Sequence, residues 1–184
     1  MTKKKEKLIT LIFFLIFLAI GIFTFTDYGI SIEEHTQLYS GIYWLDYVYK
    51  FLNFDFLKED VLEKLELISS DSGLPDPKKY TYGPIFDLPT AFFDLLIEKK
   101  QTSFFFYYRH FLVFLVYYLG SIYVFKIFKL RFKNLFLTLF GTFLFIYSPR
   151  VYGDSFHNNK DIVFLSLVIV AIYFFFKIIK KKKN

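Results

Sequence analysis

Residues 8–25 read LITLIFFLIFLAIGIFTF, an apolar run that directly follows the basic segment 3–7. About 18 to 20 apolar residues let one α-helix cross the hydrocarbon core of a bilayer. A secretory signal peptide also begins with basic residues, but its apolar part is shorter and ends in a small-residue cleavage site. The ending FTFT at 23–26 does not resemble such a site. We therefore predict that residues 8–26 form a retained first span.

The composition also indicates a membrane protein. The chain has 184 residues, of which 55% are hydrophobic and 24% aromatic, and its mean hydropathy is +0.39. A single soluble core of this size would not bury so much apolar surface. Three later apolar runs, at 104–128, 132–148 and 162–179, predict three further spans. The predicted fold class is all-α: a polytopic membrane protein with four transmembrane helices and a helical extracytoplasmic loop, 27–103, after the first.

Basic residues predict the orientation of the spans. The N-terminus, the link between the second and third spans and the C-terminus together hold 13 of the 23 Lys and Arg residues and one acid, Glu6. The positive-inside rule places these three segments, and therefore both termini, in the cytoplasm. Basic groups that bind nucleic acid would cluster on a folded face instead of at the ends of apolar runs. We therefore expect no nucleic-acid partner.

The predicted extracytoplasmic loop holds 14 of the 17 acidic residues and shows helical periodicity. Residues 34–52 are rich in Tyr, which favours a helix at the level of the lipid headgroups. An amphipathic helix is predicted over 58–68 and is followed by turn residues. A third helix starts near Pro84, a residue accepted in a first turn, and carries Asp87 and Asp94 on one face. These helices predict a platform against the membrane.

Three carboxylates follow the first span, on Asp27, Glu33 and Glu34. At a membrane boundary each would have the bilayer on one side and water on the other. That position suits a base that meets a lipid-borne substrate. A solvated loop after a transmembrane helix is the alternative interpretation.

A short polar segment, 149–161, is predicted as a second loop at the same membrane face. Its cations Arg150 and Lys160 can bind a lipid phosphate, because a guanidinium offers a planar fork of donors and an ammonium a point charge. Alternatively, they anchor helix ends by extending their charges to the interface. The polar residues between them are His157, Asn158 and Asn159.

Several motifs follow one another along the chain. They are GISIEE at 29–34, GIYW at 41–44, YGPIF at 82–86, YRH at 108–110 and SPRVYGDSFHNNKDI at 148–162. In this order they resemble the N-terminal part of bacterial GT-C glycosyltransferases of the protein O-mannosyltransferase-like group. The last motif is the most specific of them. The resemblance implies an enzyme that uses a polyprenyl-phosphate-linked sugar as donor and inverts the anomeric carbon.

The resemblance also implies roles for residues. Glu33-Glu34 matches the acidic pair of these enzymes, usually Asp-Glu, and Asp27 is a further candidate for the catalytic acid. Arg150, with Lys160 or Arg109, would stabilise the departing lipid phosphate. The donor-binding residues would include His157, Asn158 and Asn159.

Two residues at the start of the second span have a structural alternative. Arg109 is explained equally well by an ion pair with an acid of the long loop, and His110 by helix packing. The histidines of the chain lie in separate segments, without the short spacing of a metal site, and no cysteine is present. We therefore expect no metal and no cofactor.

Members of this family continue through further spans, so the chain is expected to be incomplete relative to them. It would be a truncated product, a split enzyme whose missing helices come from a membrane protein partner, or a small relative without activity. The expected partners are a polyprenyl-phosphate-linked sugar and membrane lipid, in the bacterial inner membrane. The alternative function is a non-catalytic docking or assembly subunit, with the Tyr-rich helix at 37–51 as its contact face.

Overall fold

The computed structural model of the chain describes residues 2–52, 59, 61, 63, 84–97 and 103–182, and all regular structure in these residues is α-helical. Most of the predicted helix at 58–68 and the turn residues after it lie outside the described residues. The described helices are α1 Lys3–Thr24, α2 Ile32–Leu52, α3 Asp87–Ile97, α4 Ser103–Arg131, α5 Leu135–Ile146, α6 Pro149–His157 and α7 Asn159–Lys182.

Three of the described helices are long and apolar enough to cross a membrane. They are Lys3–Thr24, Phe106–Arg131 and Asn159–Lys181. The helices α5 and α6 form a fourth candidate, a pair bent by 59° at the short break between them. The chain is therefore an all-α integral membrane protein with three or four spans. The fold class predicted from the sequence is confirmed at this level.

The segment 149–161, expected as a loop, is instead helical over most of its length. Pro149 is the first residue of α6, where the N–H that proline lacks would have no helical partner in any case. Asn158 then separates α6 from α7, and its Oδ1 accepts the backbone N–H of Asp161 at 3.0 Å. These start and cap signals define two helices in a stretch whose polar composition is typical of a loop.

The chain divides into two compact units. The first comprises Met1–Gly29 and His110–Asn184, and the second comprises Ile30–Arg109.

In the first unit, α1 and α4 run antiparallel. The Lys129 Nζ donates to the Glu6 Oε2 at 3.0 Å near one end, and the His110 Nδ1 lies 3.4 Å from the Phe25 carbonyl oxygen near the other. On each helix the two contacts are 19 residues apart. At 1.5 Å per residue this is about 28 Å, close to the thickness of the hydrocarbon core.

Helix α7 runs parallel to α4 in the same unit. The Ser166 side chain occupies the space beside Gly120, where a Cβ would lie 2.8 Å from its Oγ. Further along, the rings of Tyr123 and Tyr173 pack edge to face with centroids 5.3 Å apart. The start of α1, the end of α4 and the end of α7 therefore lie together, and with them the three basic segments. This grouping is what the positive-inside rule requires, and the cytoplasmic assignment itself stays a prediction.

Aromatic rings fill the core of the first unit. Phe17, Phe114 and Tyr117 are each at most 1% exposed. The Phe17 ring packs edge to face on the other two, with centroids 5.5 and 6.0 Å apart. A Cβ at Gly21 would overlap the Phe114 ring, so this glycine allows the close approach of α1 to α4. The Tyr117 hydroxyl donates to the Ile146 carbonyl at 2.9 Å and thereby ties α4 to the end of α5.

In the second unit, α2 packs on α3. Gly41 permits the approach, since a Cβ there would lie 2.5 Å from the Asp87 carbonyl oxygen. The core of this unit contains apolar side chains from both helices and Val61. These residues are Ile42, Leu45, Tyr49, Val61, Ala91 and Leu95.

Candidate functional site

The polar helix α6 lies beside the end of α1 in the first unit. The ring of Tyr28 stacks on that of Phe156, with centroids 4.3 Å apart and planes 19° apart. The hydroxyls of Thr24 and Tyr152 are 3.1 Å apart and share a hydrogen bond. Asp27 is exposed in the turn that follows α1. These contacts bring the end of α1, with its carboxylate, to the helix that carries the predicted phosphate ligand.

Asp154 lies between a basic residue and a histidine along α6. The Arg150 Nε is 3.9 Å from the Asp154 Oδ2, and the His157 Nε2 is 3.7 Å from the Asp154 Oδ1. Both distances exceed hydrogen-bonding range. The Arg150 side chain is 93% exposed, so its guanidinium can present its donors to an anion. The sequence reasoning missed Asp154, although its spacing of four residues from the arginine and three from the histidine is the signal for a shared helix face.

Tyr28 is a hydrogen-bond donor at neutral pH. Burial raises the pKa of its phenol, and the neighbouring Tyr152 and Asp27 raise it further. A protonated phenol therefore lies between the end of α1 and α6, where it can donate to an oxygen of a bound ligand.

The predicted donor-binding residues next along the chain lie at the α6–α7 junction. The Asn158 side chain caps α7: its Oδ1 accepts the backbone N–H of Asp161, and its Nδ2 donates to the Asp161 Oδ2, both at 3.0 Å. Asn159 is buried and Lys160 is half-buried. Asn158 therefore has a structural role as the cap of α7.

Arg109 belongs to a buried ion-pair cluster in the second unit. Its NH1 donates to the Asp94 Oδ2 at 2.8 Å, and its NH2 donates to the Asp87 Oδ1 at 3.3 Å. This is the structural ion pair that the sequence offered as an alternative to phosphate binding. Because two carboxylates already surround the guanidinium, we assign Arg109 to the stability of the unit.

The acidic pair lies in the first turn of α2, also in the second unit. The Glu34 Oε1 accepts the backbone N–H of Ser31 at 2.6 Å, and the Ser31 Oγ accepts the backbone N–H of Glu33 at 3.3 Å. This reciprocal arrangement is a capping box, and its sequence signal is the Ser-x-x-Glu spacing at 31–34. Glu34 is buried by the arrangement, whereas Glu33 is exposed.

The candidate residues are thus divided between the two units. The first unit contains Asp27, Arg150, His157, Asn158, Asn159 and Lys160, and the second contains Glu33, Glu34 and Arg109. Among the described residues, no group of three His, Cys, Asp or Glu side chains is placed to hold a metal ion.

Comparisons of the chain with protein-family models, with curated proteins and with solved structures find no match. The interpretation of the site therefore depends on its residues and on the motif resemblance.

Proposed function

We propose that the chain takes part in transferring a sugar from a polyprenyl-phosphate donor to a hydroxyl acceptor, as GT-C glycosyltransferases do, and that the first unit holds the reacting groups. One observation supports this most: the exposed guanidinium of Arg150 lies on a helix that packs against Tyr28, the residue that follows Asp27 in the chain. A phosphate-binding guanidinium and a carboxylate base at the end of a spanning bundle suit a substrate whose phosphate lies among lipid headgroups.

The reaction assigns one step to each group. Asp27 takes the proton of the acceptor hydroxyl while the acceptor oxygen attacks the anomeric carbon. The bond from that carbon to the phosphate oxygen breaks, and its electron pair leaves with the lipid phosphate. Arg150 binds the phosphate oxygens through its planar fork, and Lys160 adds a second positive charge. Attack opposite the leaving group inverts the anomeric carbon.

Asp27 is preferred as the base over the acidic pair for two reasons. It precedes Tyr28, whose ring stacks on Phe156 of the helix that carries Arg150. The Glu34 carboxylate is also engaged in capping α2. Glu33 is exposed and stands where the resembled enzymes usually have Asp, and it therefore makes the sharpest comparison in an experiment.

The test is release of free polyprenyl phosphate from a polyprenyl-phosphate hexose by the purified full chain in proteoliposomes with a hydroxyl acceptor, repeated with co-expressed neighbouring gene products. We expect Arg150→Gln and Asp27→Asn each to slow release by about 100-fold or more. Arg131→Gln, at an exposed position, and Asp46→Asn, at a half-buried position of the second unit, are controls and should keep the wild-type rate. Full activity in Asp27→Asn, or loss in Glu33→Gln alone, would remove Asp27 as the base. No release by either preparation would remove the transferase.

A second candidate function is docking to another membrane protein. Tyr39 and Tyr49 of α2 are buried, but Tyr47, Phe51 and Leu52 are 56%, 76% and 62% exposed. Beside them lies an apolar groove of about 330 Å³ between α2 and α3. The contact face predicted from the sequence, residues 37–51, is therefore reduced to the exposed C-terminal end of α2. A photo-crosslinker at position 47 should capture one defined membrane protein in this case, and the captured complex should release no polyprenyl phosphate.

A further inference from the structure

A lysine lies between two aromatic rings where α4 packs on α7, along a contact line that we call the α4–α7 seam. The Lys126 Nζ is 4.1 Å from the centroid of the Tyr123 ring on α4 and 5.7 Å from that of the Tyr173 ring on α7. An ammonium over an aromatic face is attracted to the negative face of the ring. The two rings therefore hold this cation at the seam.

The cation has no carboxylate beside it. Helix α4 contains no acid, and α7 contains none after Asp161 in its first turn. Glu6 is the one acid of the three basic segments, and its carboxylate accepts from Lys129 at 3.0 Å. In the described part of the chain, Lys126 thus has aromatic partners and no acid within ion-pair distance.

Further cations follow on the same face of α7. Lys177 and Lys180 come four and seven residues after Tyr173, a spacing that places all three on one side of a helix. Both lysine side chains are exposed. Ammonium groups donate hydrogen bonds and accept none. The seam therefore presents donors and positive charge, which an anion satisfies.

The seam lies at the level of the lipid headgroups. The Glu6–Lys129 contact is about 28 Å along α4 from the contact of His110, close to the thickness of the hydrocarbon core. Lys126 is three residues before Lys129, or about 4.5 Å along the helix axis. A lysine stem lies along apolar surface and carries its ammonium to the interface from such a depth. The anions at this level are lipid phosphates.

Apolar side chains adjoin the seam on its hydrocarbon side. Leu119, one turn before Tyr123 on the same face of α4, is 55% exposed. Phe174 is 47% exposed, and its ring centroid is 6.0 Å from that of Tyr123. These side chains can contact an acyl chain whose phosphate is bound by the lysines. A free phosphate would leave them uncovered.

We propose that the α4–α7 seam at Lys126, Lys177 and Lys180 binds the headgroup of an anionic phospholipid. The positive-inside rule accounts for an excess of lysine at this end of the bundle, but it does not require a cation to lie between two rings. A zwitterionic phospholipid fits less well, because its own ammonium is repelled by the lysines. The site needs neither a sugar donor nor group transfer, so its test is independent of the proposed function.

Native mass spectrometry of the purified full chain in detergent measures this binding. The chain is titrated with dioctanoyl phosphatidylglycerol and, separately, with dioctanoyl phosphatidylcholine, which has the same acyl chains and no net charge. We expect the first phosphatidylglycerol to bind about tenfold more tightly or better. Equal or weaker binding of phosphatidylglycerol would overturn the proposal. Displacement of the lipid by an equal concentration of inorganic phosphate would also overturn it, because the site would then bind free phosphate.

A pair of variants separates the seam from the general charge of this end. Lys126→Gln should weaken phosphatidylglycerol binding about fivefold. Lys133→Gln removes one cation from an exposed position beyond the end of α4, and it should change the affinity less than about twofold at about 0.15 M salt. Wild-type affinity in Lys126→Gln, or an equal loss in both variants, would contradict the proposal.

Two more variants answer the case in which Lys126→Gln loosens the packing of α4 on α7. Lys126→Arg keeps the charge and the contact with the rings, so its affinity should stay within about twofold of the wild type. Lys177→Gln changes an exposed side chain and should weaken binding about threefold or more. Wild-type affinity in Lys177→Gln, or a loss in Lys126→Arg as large as in Lys126→Gln, would contradict the proposal.

Discussion

Replacing Arg109 by methionine should destabilise the second unit selectively. The Arg109 and Asp94 side chains are 4% and 1% exposed, and their ion pair has a length of 2.8 Å. Asp87, 3.3 Å from the same guanidinium, is 10% exposed in its side chain. Methionine keeps the apolar stem of the arginine but leaves two carboxylates buried without the positive charge. Removing one partner of a buried ion pair costs about 3–5 kcal/mol.

The chain offers a matched control at Lys129. Its ion pair with Glu6 is 3.0 Å long, but the two side chains are 39% and 33% exposed. An exposed pair contributes about 0–1 kcal/mol, because water and salt screen it. Arg109→Met and Lys129→Met therefore each remove one cation from an ion pair of similar length. The two ion pairs differ in burial.

Hydrogen exchange of the purified chain in detergent measures this difference locally. Helix α3 carries both carboxylates, Asp87 and Asp94. Its backbone amides should therefore exchange about 100-fold faster in Arg109→Met, which corresponds to a loss of about 3 kcal/mol in stability. The amides of α1, in the first unit, should change little. Lys129→Met should alter α3 exchange by less than about fivefold.

One result would refute this reasoning. If α3 exchanges no faster in Arg109→Met than in Lys129→Met, the buried cluster does not stabilise the unit. A double variant, Arg109→Met with Asp94→Asn, tests the cause. It should recover part of the lost protection because it also removes a buried negative charge.

Three further predictions follow from the fold. Gly21→Val should lower the stability of the first unit by about 1–3 kcal/mol in denaturant unfolding, since the new side chain would overlap the Phe114 ring. Gly29→Val is the control and should have little effect, because a Cβ there would meet open space. Ser31→Ala should cost about 1 kcal/mol of helix stability, measured by exchange in the first turn of α2, because it removes the cap. The chain lacks cysteine, so single-cysteine variants report its orientation: a membrane-impermeant maleimide should label Arg150→Cys on intact cells and leave Lys133→Cys unlabelled until the cells are opened.

Much of the architecture could be predicted from the sequence because the bilayer imposes a length on every span. The apolar runs at 8–25, 104–128 and 162–179 correspond to α1, α4 and α7, and helical periodicity predicted α2 and α3. A local pattern suffices for such elements, because the thickness of the hydrocarbon core and backbone hydrogen bonding act on neighbours in the chain. Basic ends of apolar runs likewise predict a common face without knowledge of any contact.

Contacts between distant residues were decided by tertiary structure. The sequence allowed Arg109 to be either a phosphate ligand or an ion-pair partner. Only the packing shows that Asp87 and Asp94 surround it. The polar composition of 149–161 favoured a loop, but the helix α6 forms where Phe156 stacks against Tyr28.

The division of the chain into two compact units, with Asp27 in one and the acidic pair at 33–34 in the other, is likewise a property of the folded state. Sequence alone determines which segments enter the membrane, because hydrophobic transfer is a local property of a run of residues. Which charges meet depends on side chains that the fold brings together from distant positions.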